Sequence, residues 1–115
     1  MTDWCSNTAE ARTRKWIARA IANGWRIHGQ PIHLAISAEA GPDGNRAAYL
    51  AALEQAGYAA EPSVDHDLRV EFILAHVGPT PFDADTLWTH ERAVAAIALA
   101  HGYIPVGCET TERAP

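Results

Sequence analysis

Apolar residues in this chain recur first at every third or fourth position and then at every second. The two periods alternate in an order that few folds can accommodate. Residues 32–36 alternate, with Ile32, Leu34 and Ile36 on one side and His33 and Ala35 on the other, as a half-buried strand does. Glu39 to Gly44 is turn chemistry. Asp43 or Asn45 can cap a helix in which Tyr49, Leu50, Leu53 and Ala56 face inward and which Gly57 ends. Residues 58–64 read as a strand, and Pro62 assigns it to an edge because proline cannot donate to a ladder. Asp65-His66-Asp67 forms a tight turn. Residues 68–76 follow as the second arm of a hairpin, with Leu68, Val70, Phe72 and Leu74 alternating with Arg69, Glu71 and Ile73.

Gly78-Pro79-Thr80-Pro81 reads as a stiff loop. Asp83 or Asp85 can cap a long helix running to about His101, with Leu87, Val94, Ile97 and Ala98 inward and Gly102 as its stop. Residues 103–109 make a last short strand, in which Pro105 suits an edge or a bulge. Ahead of all this, Asn7 with Glu10 forms a capping box for a helix over about 8–23. Trp16, Ile17, Ala20 and Ile21 are on its inner face and Gly24 ends it. Its other face, with Arg12, Lys15, Arg19 and the adjacent Arg14, reads as solvated.

The pattern predicts an α+β protein: a ferredoxin-like βαββαβ sandwich over about 31–110 with an extra N-terminal helix. Right-handed crossovers place both later helices on one face of a four-stranded antiparallel sheet. The strand order is 4-1-3-2 over residues 32–36, 58–64, 68–76 and 103–109. Leu34, Leu53, Phe72, Val94 and Ile97 are expected to be buried together. At 115 residues, 48% of them hydrophobic, the chain is long enough for one core and too short for two, so residues 1–115 read as a single domain. No apolar run approaches the ~18 residues of a membrane span, and Met1 to Asn7 has no signal-peptide pattern. A cytoplasmic protein is expected. Cys5 and Cys108, in no CxxC pair, then read as reduced thiols.

The formal charge is −5 and uneven. Residues 1–57 hold six basic and five acidic side chains, against three and nine over residues 58–115. Such a surface repels phosphate backbones, so direct nucleic-acid binding is not expected and a basic protein partner is. RNA binding on the sheet would also need aromatics with basic neighbours, and the 68–76 strand offers Phe72 alone.

Signals for catalysis are weak. Of the six histidines, His90 and His101 share a helix face but stand eleven residues apart, about 16 Å along the axis and too far for one ion. Neither a metal nor any other cofactor is expected. Asp65, His66 and Asp67 look like an acid–base cluster, but Asp is an ordinary turn residue and an exposed hairpin tip tunes pKa values poorly. Gly41 to Asn45 could cradle an anion at a helix N-terminus, but its acidic residue opposes that. There is no GxSxG, P-loop or GxGxxG motif. Of four tryptophans, Trp16 and Trp88 fit helix faces that pack inward. Trp4 and Trp25 flank the first helix, where an exposed indole would be a contact hot spot.

The stretch from Arg12 to Thr110 resembles the RraB family, regulators of ribonuclease E activity. The similarity lies in the order of elements, in Ala56-Gly57-Tyr58 closing the second helix, and in Ala98-Leu99-Ala100-His101-Gly102 closing the third. The chain departs from the family at Pro105 to Thr110, where the aromatic and acidic positions of the C-terminal motif are lost. The resemblance implies an acidic cytoplasmic protein that binds a basic region of an endoribonuclease scaffold and inhibits it. The expected activity is therefore non-catalytic regulation by protein–protein contact. The expected contacts are Asp65, Asp67 and Glu71 at the hairpin, with Asp83, Asp85 and Glu91 around the third helix. Two other readings fit a small acidic chain: an immunity- or antitoxin-like protein neutralising a nuclease, and a small ligand-binding domain.

Overall fold

The computed structural model describes residues 7–24, 28–67 and 69–110. In chain order the elements are α1 (Asn7–Ala22), β1 (Pro31–Ala40), α2 (Arg46–Gln55), β2 (Ala59–Asp65), β3 (Val70–Pro81), α3 (Ala84–Ala100) and β4 (Tyr103–Thr110). They make an α+β protein whose four strands are ordered β2-β3-β1-β4, each pair of neighbours antiparallel. Trp4, Trp25 and Cys5 lie outside the described residues.

The core forms where all three helices meet one face of the sheet. Ile32, Leu34, Ile36 and Ala38 of β1, with Ile73, Ala75 and Val77 of β3, pack in one cluster with the helices. Ile17 and Ala20 come from α1, Tyr49 and Leu53 from α2, and Leu87, Val94 and Ala98 from α3. Full burial of each larger side chain contributes about 1.5–3 kcal/mol. Ile97 sits at the margin of this cluster, partly buried. Asn45 caps α2, accepting from the Ala48 N–H at 3.1 Å. Asp83 caps α3, accepting from the Thr86 N–H and hydroxyl. Trp16 of α1 meets Phe82 edge-on, ring centroids 6.0 Å apart. Among the described residues no helix is long and apolar enough to cross a membrane.

Three expectations about β3 need correction. Phe72 does not join the core. Pairing of Ala38 with Ile73, Ile36 with Ala75 and Leu34 with Val77 turns the odd-numbered residues toward the helices. Phe72 and Leu74 therefore lie on the opposite face, half-buried. Alternation gives parity but not which parity faces inward, and here both sets are apolar. The hairpin is also longer than Asp65-His66-Asp67: it extends to Arg69, whose φ of 54° is left-handed, and β3 starts at Val70. Finally, Gly78 to Pro81 is strand, not loop. β2 pairs with β3 only as far as His76. Past that point one side of β3 has no strand to receive N–H groups, and prolines 79 and 81 are tolerated. Pro62 and Pro105 sit on the edge strands β2 and β4, the latter beside an irregularity in the β1–β4 register.

Loop 41–45 and the turn after α3 interlock. The Gly41 N–H donates to Gly102 O at 2.9 Å, and the Asn45 N–H to His101 O at 3.0 Å. Gly102 has a φ of 77°, and a Cβ there would stand 2.4 Å from Asp43 O. Two of the amides that could have cradled an anion are thus engaged by backbone carbonyls.

Candidate partner-binding surface

The six acidic residues expected to meet a partner do not form one surface. Glu91 is the clearest correction: it lies on the inner side of α3, 3% exposed, and accepts from the Thr13 hydroxyl at 2.6 Å. A helical stripe of Leu87, Val94 and Ala98 carries it inward, because residue 91 lies four positions from 87. Asp83 is occupied as a cap. Its hydrogen bonds from Thr86, helped by His28 at 3.5 Å, hold its carboxyl below the usual range. Asp85 pairs with Arg14, which also reaches Glu10. The basic run on α1 is thus partly engaged; its Lys15 and Arg19 side chains are exposed. Glu71 faces the helix side and pairs with Arg46 at 3.4 Å.

Only Asp65 and Asp67 remain at the hairpin. Asp65 accepts from the Asp67 N–H at 3.0 Å, the turn chemistry anticipated for these residues. Asp65 pairs with Val70, which places it on the sheet face opposite the helices. Register lines up the rest of that face. Ser63, Phe72, Glu39 and Ile104 form one row across the four strands. Glu61, Leu74, Ser37 and Gly107 form the next, and Ala59, His76 and Ala35 a third. His76 Nε2 stands 2.7 Å from Glu61 Oε2. The result is an apolar strip of Phe72 and Leu74 along β3, flanked by Asp65, Ser63 and Glu61 on β2 and by Glu39 and Ser37 on β1, with Ile104, 41% exposed, beyond Glu39 on β4. Among the described residues no helix lies on this face. The pattern was invisible in the sequence because it needs three strand registers at once, and the misassigned parity of β3 removed Phe72 and Leu74 from consideration.

A cleft of about 430 Å³ opens where β2 ends and β3 continues. His33, His76 and His90 line it with Tyr58 and Thr80. The Tyr58 hydroxyl and His90 Nδ1 are 3.1 Å apart. Burial pushes the His90 imidazole pKa down and the Tyr58 hydroxyl up, so both are neutral at pH 7. Among the described residues no three His, Cys, Asp or Glu side chains converge as a metal site would require. These histidines, at positions 33, 76 and 90, have no spacing that announces them; the β1–β3 pairing and the packing of α3 bring them to one cleft.

No known protein family matches the chain, and no curated protein matches it.

Proposed function

We propose that this protein is a non-catalytic regulator that binds another protein through the uncovered face of its sheet. The observation that carries the reading is the Phe72–Leu74 strip along β3, flanked by Glu61 and Asp65 on one side and Glu39 on the other, with Ile104 exposed beyond Glu39. An apolar centre with a charged rim is how protein interfaces are built, and the acidic rim selects a basic partner while accelerating encounter. The element order β1-α2-β2-β3-α3-β4 supports a ferredoxin-like assignment with α1 as an addition. It also supports the resemblance to RraB, with inhibition of a ribonuclease E-type enzyme through its basic scaffold region as the activity and the cytoplasm as the setting. Relative to the sequence-based expectation, the proposed contact moves from six scattered carboxylates to one face. Asp67 stays at its hairpin end, and Glu71, Asp83, Asp85 and Glu91 leave it.

The test is titration of the immobilised protein with the basic scaffold segment of ribonuclease E across a salt series. Binding whose association rate falls with salt, and which Phe72→Ala with Leu74→Ala abolishes in a folded protein, supports the reading. No binding, or binding indifferent to both changes, overturns it. Capture of a nuclease toxin by the same face in place of the scaffold would favour the antitoxin-like alternative.

A further inference from the structure

The sheet face opposite the helices is apolar over the width of one strand. Val70, Phe72 and Leu74 follow one another along β3 on that side. Glu61 of β2 stands opposite Leu74, and Glu39 of β1 opposite Phe72, so a carboxylate borders the strip on each side. Asp65 of β2 adds a third beside Val70. Among the described strand positions of this face none is lysine or arginine. Glu61 has His76 2.7 Å away, yet its side chain is 62% exposed and within reach of a further cation.

These widths restrict what can cover the face. Neighbouring strands lie about 4.8 Å apart, so the rows on β1 and β2 are about 10 Å from each other with the strip midway. A second sheet would need an apolar layer several strands wide, and Ser37 and Ser63 interrupt one here. A single extended chain sends alternate side chains toward the sheet and away from it, and aims none sideways at both rows. An α-helix, about 10–12 Å across with its side chains, matches the spacing. Its apolar stripe would lie on β3, and residues on both shoulders would stand over β1 and β2. From Val70 to His76 the strand advances about 20 Å, the length of about fourteen helical residues. Three carboxylates with no lysine or arginine beside them give the shoulders their sign, which is positive.

We propose that a cationic amphipathic helix of the partner lies lengthwise on β3, its apolar stripe on Phe72 and Leu74 and its basic shoulders on Glu39 and Glu61. It adds a helical layer to the open side of the sheet. The proposal rests on the reading of this face as a partner surface and specifies the partner's shape.

Fluorescence anisotropy with two labelled synthetic peptides tests it. Both contain Leu and Lys in equal numbers over about fourteen residues. One places Leu at the i, i+3, i+4, i+7 spacing with Lys on both flanks, and the other alternates Leu with Lys. Their equal charge cancels non-specific attraction to an acidic protein. The helical pattern is expected to bind at least about tenfold more tightly than the alternating one, and to gain helix by circular dichroism on binding. Phe72→Ala should weaken it about tenfold or more, as for a central apolar anchor. Glu39→Gln and Glu61→Gln should each weaken it about two- to fivefold, the range of an exposed ion pair. Both Gln variants keep the side-chain volume and leave the test open even where Phe72→Ala fails to fold. Equal binding of the two patterns, indifference to Phe72→Ala, or sensitivity to only one of the two glutamates overturns the proposal. So does self-association of the protein that Phe72→Ala abolishes, which would assign the face to a second copy. Tighter binding of the alternating peptide that still needs Phe72 overturns the helix but leaves the face to a basic partner, whereas the partner reading itself fails on the scaffold titration above.

Discussion

Ile73 and Phe72 are neighbours in β3 with opposite fates, and replacing each with alanine tests the face on which the proposed partner surface depends. Ile73 is fully buried between the helices and the sheet. Truncating a buried isoleucine to alanine removes its transfer energy and leaves a cavity, together about 2–5 kcal/mol. For a domain of this size a loss of ~3 kcal/mol lowers Tm by roughly 10 °C. It is also a large part of a total stability that is typically about 5–15 kcal/mol. Phe72 is larger but only partly buried, and its cross-strand neighbours Ser63 and Glu39 are polar. Its truncation should cost only about 1 kcal/mol. Urea unfolding followed by circular dichroism measures both. Ile73→Ala should unfold at clearly lower urea, while Phe72→Ala stays near the parent and loses partner binding. A Phe72→Ala protein destabilised as much as Ile73→Ala would mean that the parity is reversed, and the sheet-face surface would fall with it.

Three further substitutions have defined outcomes. The Tyr49 hydroxyl is buried with no hydrogen-bond partner among the described residues, so Tyr49→Phe should be neutral or stabilising by up to about 1 kcal/mol in the same urea assay. Burial pushes the Tyr49 pKa from its usual 10.0 up to about 12. The parent should therefore keep its full stability below about pH 10 and lose some as pH rises through 12, a loss that Tyr49→Phe reduces. Asp83→Ala removes the cap of α3 and should cost about 1 kcal/mol near neutral pH. Because the Asp83 carboxyl is held below its usual range, that advantage fades as pH falls through its depressed pKa, and thermal melts of parent and variant should converge in acid. Gly102→Ala combines a positive φ with a Cβ 2.4 Å from Asp43 O. It should destabilise by about 2 kcal/mol or more, read as a lowered Tm.

The element order was legible because each helix carries both its period and its stop. Gly24, Gly57 and Gly102 all adopt the positive φ that ends a helix cleanly. Edge strands were legible from Pro62 and Pro105. What escaped was anything set by pairing across the sheet. Ile73 and Phe72 are equally apolar to a reader of β3 alone, and only β1 decides between them. Glu91 looked like a surface acid because charge is the dominant expectation for glutamate. Its four-residue spacing from Leu87 was the available signal that it points inward.

The interlock between loop 41–45 and the turn at His101–Gly102 ties the first strand–helix–strand crossover to the second. A glycine-rich surface turn ordinarily exchanges its amide hydrogens quickly. Here the Gly41 and Asn45 amides are bonded to the far crossover, and neither unit can swing away without breaking both bonds. These two amides should exchange on the timescale of global opening, with protection close to that of the β1 core. The sheet then unfolds as one cooperative body, and its uncovered face is presented as a rigid plate rather than as two halves that flex about a seam.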